Sequence, residues 1–203
     1  MNDDSHATDA TPGEDESDLI LDYLTTREMR NATELESIAQ SYDTHVFRAR
    51  RKKRGADWLT EKYLLQVHND MFGVIWRWAG KFRRINLNLG VLWHMIPEQV
   101  RLLQDDFHYW DMSESSMPTL EIAARLQNRL TRIHPFKNGN GRHARLITDI
   151  FLYSRDHPLP VWPQIQLMDQ EDDIRAQYIS AMKKADMEDY RDLIAFIQDY
   201  ISE

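Results

Sequence analysis

The chain has 203 residues, enough for one domain with an appendage, and its 42% hydrophobic residues, six Trp and eight Tyr can form a real core. It contains no cysteine, which excludes disulfides, Cys-based zinc sites and a thiol nucleophile, and its net charge of −8 argues against nucleic acid or anionic lipid as a general partner. Seven Gly and seven Pro are few for a β-sandwich or barrel, so the composition favours a mainly helical protein.

Residues 1–17 are rich in Asp, Glu, Ser and Thr without apolar periodicity, which predicts a disordered acidic tail. We find no signal peptide and no membrane span in the sequence, and we expect a cytoplasmic protein. Residues 18–56 contain one helical pattern, predicted to be an N-terminal helical extension, that ends in the basic block at residues 48–54. We interpret this block as a solvated helix end, with an acidic partner or RNA as the alternative.

The next elements are a helix and an extended segment. Asp57 is predicted to cap a helix whose apolar stripe, ending at Ile75, continues to a stop at Gly80. Residues 82–93 then alternate apolar and polar side chains at period two, which predicts an extended segment or small β-hairpin, the one strand signal in the chain.

Five further segments complete the predicted architecture. Pro97 suits the first turn of a third helix, and residues 119–133 form a fourth that breaks at His134 and Pro135. Helical spacing resumes over residues 143–155, and prolines between 158 and 163 predict a loop. Two more helices, one starting at about residue 169 and one around residues 190–201, close the chain.

The segment Asn138-Gly139-Asn140-Gly141 stands directly before a predicted helix. Glycines at a helix start let the backbone approach a ligand, and the unpaired N–H groups and the helix dipole favour an anion, so the pattern predicts a phosphate site. Arg142 and Arg145 follow three residues apart and could bind phosphate oxygens. An ordinary turn is the alternative reading of the glycines.

His134 stands five residues before Gly139, at the end of a predicted buried helix. A histidine that titrates near neutrality beside an anion site is a natural general base. A hydrogen-bonded core histidine is the alternative for this residue.

The nine residues from His134 to Arg142 resemble the Fic motif His-Pro-Phe-x-(Asp/Glu)-Gly-Asn-Gly-Arg, with Arg145 as the further arginine of many members. Residues 76–83, Trp-Arg-Trp-Ala-Gly-Lys-Phe-Arg, and residues 178–194 also resemble Fic family sequence, and the chain is most similar to the branch called mobile mystery protein B. The resemblance implies an all-α Fic-fold helical bundle with a small β-hairpin flap, over a Fic domain at residues 57–203.

The resemblance also implies an activity, the transfer of AMP from ATP onto a hydroxyl of a target protein. His134 would be the catalytic base, Phe136 would anchor the loop in the core, and Gly141, a lysine in Doc-like phosphoryl-transferring relatives, favours AMP transfer. Backbone amides around Gly139 would form an anion hole. The nucleotide-binding residues implied are Phe136, Lys137, Asn138, Gly139, Asn140, Gly141, Arg142 and Arg145, the Asn140 side chain holding the α-phosphate and the two arginines the outer phosphates.

Two further expectations concern metal and partners. Asn138 stands where active members have the carboxylate that binds Mg²⁺, so we predict only weak metal binding there. The flap would pair with an extended target segment. Its residues are Ile85, Asn86, Leu87, Asn88, Leu89, Gly90 and Val91.

The sequence also allows alternatives for how the protein is regulated and for what it does. We find no inhibitory helix motif of the family, so autoinhibition is not supported, and a separate antitoxin-like regulator is an equal possibility by resemblance. Glu34 or Glu36 pairing with Arg145 is the alternative to a solvated position on a helix face. The competing function is a non-catalytic helical interaction module, which uses the flap to bind a partner.

Overall fold

The computed structural model describes residues 16–51, 58–112, 116–168 and 171–201, and this part of the chain is α-helical, as predicted. Its α-helices, in chain order, are α1 (Arg27–Ala49), α2 (Glu61–Phe72), α3 (Ile96–Trp110), α4 (Thr119–Ile133), α5 (Asn140–Ser154), α6 (Gln164–Met168), α7 (Asp173–Ala185) and α8 (Arg191–Asp199). None of the described helices is both long and apolar enough to span a bilayer.

Helices α4 and α5 form the centre of the bundle, packed against each other. Helix α4 also contacts α3, α7 and α8, and α5 contacts α1 and α2. Since α5 is buried along almost all of its length, the loop between α4 and α5 is held between two elements that cannot shift without opening the core. A second, smaller apolar cluster lies around α7 and α8.

Helix α2 differs at both ends from its predicted bounds. It begins after Thr60, whose Oγ1 accepts a hydrogen bond of 3.1 Å from Tyr63 N, and the predicted cap Asp57 lies outside the described residues. It ends at Phe72 and not at Gly80. The apolar pattern misled the prediction because Ile75 is buried in the same core from a turn beyond the helix.

The predicted β-hairpin is absent from the described residues 82–93, which form bends and a short 3-10 turn. Ile85 and Leu89 are 52% and 43% exposed, so the alternating apolar face has no sheet or core to cover it. The segment is instead tied to the end of α4: Arg83 N donates to Pro135 O at 2.9 Å and Val91 N to Ile133 O at 3.3 Å.

The later elements follow the prediction with small shifts. Helix α4 has the predicted bounds, and Pro97 lies in the first turn of α3. Helix α5 begins at Asn140, inside the motif, and the short α6 begins directly after Pro163, where only a loop was expected. The predicted tail lies almost wholly outside the described residues, as do residues 52–54 of the basic block.

Candidate active site

His134 ends α4 in a left-handed backbone conformation, with φ 51° and ψ 59°. Its N–H still donates to Leu130 O at 3.1 Å, and its carbonyl accepts a 2.8 Å bond from Arg83 Nε. A residue with a side chain rarely adopts positive φ, and such strain persists only where surrounding contacts enforce it. The half-buried imidazole is therefore aimed by the backbone turn at the end of a rigid helix.

The loop after His134 is closed by two hydrogen bonds from one side chain. Asn140 Oδ1 accepts from Phe136 N, and Asn140 Nδ2 donates to Phe136 O, both at 2.9 Å. Phe136 is fully buried, as predicted for a core anchor. The Asn140 side chain was predicted to hold the α-phosphate, but in this structure both of its polar atoms shape the loop.

His68 of α2 contacts the same loop through its ring and through a hydrogen bond. Its ring lies parallel to the Phe136 ring, with centroids 3.6 Å apart. Nδ1 accepts from Gly80 N at 3.0 Å, so the proton is on Nε2, which donates to Asn138 O at 3.0 Å. Burial lowers the pKa of His68 well below its usual range, so the ring stays neutral with this tautomer.

Gly139 is required at the start of α5. Its φ is +76°, and a Cβ there would lie 2.5 Å from Cε2 of Phe72. The first-turn amides that follow, those of Asn140, Gly141 and Arg142, have no intrahelical acceptor and carry the positive end of the helix dipole. These three N–H groups are therefore a candidate anion site.

The side-chain oxygen of Asn138 is already hydrogen-bonded inside the loop, which bears on the predicted anion hole and on the predicted metal site. Its Oδ1 accepts a 2.6 Å bond from Gly139 N, so this amide, predicted for the anion hole, is already used. The same bond occupies the oxygen that was predicted as a weak Mg²⁺ ligand. No group of three His, Asp or Glu residues suited to a metal exists in the described part of the chain. Asn138 thus offers one neutral oxygen, already hydrogen-bonded, so the weak Mg²⁺ binding predicted for it stays a prediction.

Arg142 lies at the mouth of the anion site and is paired inside the chain. Its Nη1 donates to Glu34 Oε2 at 2.5 Å, and its guanidinium lies 4.7 Å from the centre of the Phe72 ring. Glu34, from α1, also accepts from Trp76 Nε1 at 2.5 Å and is only 5% exposed. The prediction of a solvated Glu34 is wrong, and its arginine partner is Arg142 rather than Arg145.

Arg145 is buried one turn further along α5. Its Nη2 donates to Gln164 Oε1 of α6 at 3.0 Å, and its Nε has no hydrogen-bond acceptor among the described residues. Burial raises the pKa of the neighbouring Asp149 well above its usual range, although Trp162 Nε1 donates to that carboxyl and Arg145 acts in the opposite direction. A buried guanidinium with an unfilled donor is suited to a ligand with several oxygens.

Lys137 makes an ion pair with Asp18, which precedes α1. Its side chain is partly exposed, and it also lines a groove beside the flap. In this structure Lys137 therefore contacts the N-terminal segment. Its role as a nucleotide contact stays a prediction.

Arg83 joins the flap to the loop between α4 and α5. In addition to His134 O, its guanidinium donates from Nη1 to Ile85 O at 2.7 Å and from Nη2 to Val91 O at 2.5 Å. Gly90 lies so close that a Cβ there would be 2.5 Å from the Cβ of His134. The flap thus lies directly beside the candidate base His134.

Sequence reasoning missed three residues that hold the site: His68, Arg83 and Gln164. It considered Glu34, but as a partner of Arg145 and not of Arg142. The motif resemblance covers the loop but not the elements packed around it. Arg83 closes the stretch at residues 76–83 that resembles the family, and this was the only signal for any of the three.

Comparisons with known proteins agree on the class of fold. A Fic domain containing signaling protein from Bacteroides thetaiotaomicron superposes with a TM-score of 0.68 at 19% identity, covering 85% of this chain and 68% of that one. BepC of Bartonella tribocorum, crystallised with bound AMPPNP, superposes with a TM-score of 0.64 at 14% identity, covering 97% and 98%. The helical bundle is the Fic fold.

The sequence comparisons identify the family. Residues 58–152 match the model of the Fic/DOC family. "Protein adenylyltransferase Fic" of Drosophila grimshawi is 31% identical over 144 residues, 70% of this chain and 28% of that protein, and its counterpart in Drosophila ananassae is 32% identical over 144 residues, 70% and 27%. Residues 58–152 are therefore a Fic/DOC family domain, and the chain spans little more than a quarter of these relatives' length.

Proposed function

We propose that the chain transfers AMP from ATP to a hydroxyl side chain of a target protein. The observation that carries the proposal is the short loop that joins His134, at the C-terminus of α4, to the free first-turn amides of α5. Arg142 and Arg145 flank the same amides. The names of the curated relatives, protein adenylyltransferases at about 31% identity, support the same activity.

Each group then has one role in the transfer. His134 takes the proton of the hydroxyl, whose oxygen bonds to the α-phosphorus while the bond to the β-phosphate bridge breaks and pyrophosphate leaves. The amides of Asn140, Gly141 and Arg142 stabilise charge on the α-phosphate, and the arginines hold the outer phosphates. Glycine at position 141, where Doc-like relatives have lysine, supports AMP over phosphoryl transfer.

ATP is the proposed substrate, and Mg²⁺ would accompany it as the usual counter-ion of its phosphates. Asn138 would be a weak ligand for it, since its only oxygen is neutral and bonded to Gly139 N, and we derive no step from the metal.

The target protein would dock on the flap, residues 85–91. Most of its residues are exposed and none of them lies in a strand, which suits main-chain pairing with an extended segment. An antitoxin-like regulator is also proposed; it would act by covering this surface or by reinforcing the pairing of Arg142. The absence of cysteine supports the cytoplasm as the compartment.

Incubation of the protein with cell lysate, Mg²⁺ and ATP labelled at either the α- or the γ-phosphate tests the activity. We expect α-label on protein, lost in His134→Ala, while γ-label on protein would assign phosphorylation instead. A second candidate, the non-catalytic interaction module, is favoured by the Glu34 pair that occupies Arg142 and by the missing carboxylate at Asn138. Equal absence of label with wild type and His134→Ala would support that module.

A further inference from the structure

A groove of about 680 Å³ lies on the outer side of the flap. It opens between the segment before the flap and the motif loop, and residues of both line it. We call it the cationic groove, defined by Trp78, Lys81, Arg84, Trp93, His94 and Lys137. It is separate from the anion site at the start of α5, because none of the first-turn residues of α5 lines it.

The charge of the cationic groove is opposite to that of the whole chain. The net charge is −8, yet the groove's lining in the described residues contains no carboxylate. Lys81 and Arg84 are exposed, and neither forms an ion pair with another described residue. Lys81 Nζ donates only to Arg77 O, at 2.9 Å. Two cations are therefore available to a ligand at the edge of the flap.

One carboxylate on a polypeptide segment is already seated at the rim. Asp18 pairs with Lys137, and Asp18 O accepts from Arg77 N at 2.9 Å. The contact combines a side-chain ion pair with a main-chain hydrogen bond. An extended acidic segment can place further carboxylates at Lys81 and Arg84, and Trp93, which lines the same groove and is 41% exposed, offers it an apolar face.

We propose that the cationic groove binds an acidic segment of the target protein and so selects targets with Asp or Glu near the modified hydroxyl. This inference rests on the proposed function, because it identifies the target class of the same site. Aromatic and basic residues together also suit single-stranded nucleic acid. The overall negative charge repels a long polyanion, whereas a short acidic segment meets only the local field.

Fluorescence anisotropy with the full chain, without ATP or Mg²⁺, tests the inference. The probe is a fluorescein-labelled peptide in which Glu alternates with Val and Phe, and its analogue has Gln for Glu. We expect the Glu peptide to bind more tightly at low salt, and the double variant Lys81→Gln, Arg84→Gln to weaken binding on the order of tenfold. The matched control, Arg51→Gln with Lys62→Gln, removes two exposed cations elsewhere and should leave binding unchanged.

Several results would overturn the inference. Equal binding of both peptides, or equal loss in both double variants, would remove the groove as the acidic site. Tighter binding of an oligouridine probe would assign it to nucleic acid. Tighter binding of a peptide with the sequence of residues 1–15 would assign it to this chain's own acidic segment. Because no nucleotide is present, the outcome does not depend on AMP transfer, and failure of the proposed activity remains distinguishable.

Discussion

At the scale of single residues, the loop geometry depends on a histidine outside the motif. His68 bridges Gly80 N and Asn138 O and stacks on Phe136, so it holds the loop that carries His134 to α5. A buried polar group left without its partner costs about 1 to 3 kcal/mol. His68 is therefore a positioning residue for the proposed reaction.

We predict that His68→Phe keeps the ring stack but orphans both backbone groups, and that it lowers kcat for AMP transfer by at least about tenfold, beyond its effect on folding. The matched control is His45→Phe. His45 is also buried and makes two hydrogen bonds, to Tyr63 and Asp70, but it does not touch the loop. Transfer assays at a temperature where both variants are folded, judged by circular dichroism, separate the effects; equal loss in both would make His68 merely structural.

The side chain at position 138 gives a second prediction. Asn138 offers only a neutral oxygen, already bonded to Gly139 N, so a carboxylate there would add the charge that Mg²⁺ prefers. We expect Asn138→Asp to lower the Mg²⁺ concentration needed for half-maximal transfer several-fold. Titration of Mg²⁺ at fixed ATP measures it. An unchanged metal dependence would place residue 138 outside the metal's reach.

At the scale of elements, sequence patterns succeeded where one helix buries one face and failed where the backbone is held by side chains. Helix α4 has its predicted bounds because its apolar stripe and the His134-Pro135 break both act locally. The flap was predicted as a hairpin from its alternation, but Arg83 donates to two of its carbonyls, Ile85 O and Val91 O, and ties them to His134 O. No local pattern encodes that contact. For the same reason the motif identified His134 and its loop, but not Glu34 on α1.

The Arg83 contacts predict the behaviour of the flap as a unit. Arg83→Lys keeps the charge, but a single ammonium cannot reproduce the planar fork that serves three carbonyls. We expect faster chymotrypsin cleavage within residues 84–92 and a raised KM for the target, with little change in KM for ATP. Arg84→Lys is the control, since Arg84 is exposed and holds no flap carbonyl. Equal cleavage of the two variants would contradict the clamp.

At the scale of the whole molecule, buried titratable groups connect stability to pH. Burial lowers the pKa of His143 to about 3 and that of His68 below its usual 6.5, so each stabilises the fold above pH 6.5 and loses that contribution as pH falls. Burial raises the pKa of Asp149, so its effect on stability has the opposite sign. Above its unfolded pKa near 3.8, rising pH lowers the free energy of unfolding. As pH rises from about 4, the histidines therefore add stability, and Asp149 removes it until its own raised pKa is passed.

We predict that His143→Gln flattens this dependence. One fewer depressed histidine removes about 1.4 kcal/mol per pH unit from the slope of the free energy of unfolding below pH 6.5. Urea unfolding of wild type and variant at a series of pH values measures the difference in the free energy of unfolding. The contributions of the carboxylates cancel in that difference. A difference that does not shrink as pH falls would mean that His143 is protonated in the folded protein.

The contact between α1 and the motif links the first helix to the proposed ATP binding. Glu34 holds Arg142 through an ion pair and Trp76 through a hydrogen bond, so a phosphate that binds Arg142 competes with a buried carboxylate for the guanidinium. We expect Glu34→Gln to tighten ATP binding several-fold because a neutral amide competes less for the guanidinium. It should also lower the free energy of unfolding by about 1 to 3 kcal/mol, since Arg142 loses its charged partner.

Glu36→Gln is the control for this change, because Glu36 lies on the exposed face of the same helix and accepts only from Gln40 Nε2, at 3.4 Å. Isothermal titration with ATP and thermal unfolding of the three proteins distinguish the cases. If ATP binds more tightly to Glu34→Gln alone, then α1 sets the affinity of the site. The Glu34–Arg142 pair then stabilises the fold and at the same time weakens nucleotide binding. If affinity falls instead, Glu34 positions Arg142 for the phosphates, and the pair is part of the binding site rather than its competitor.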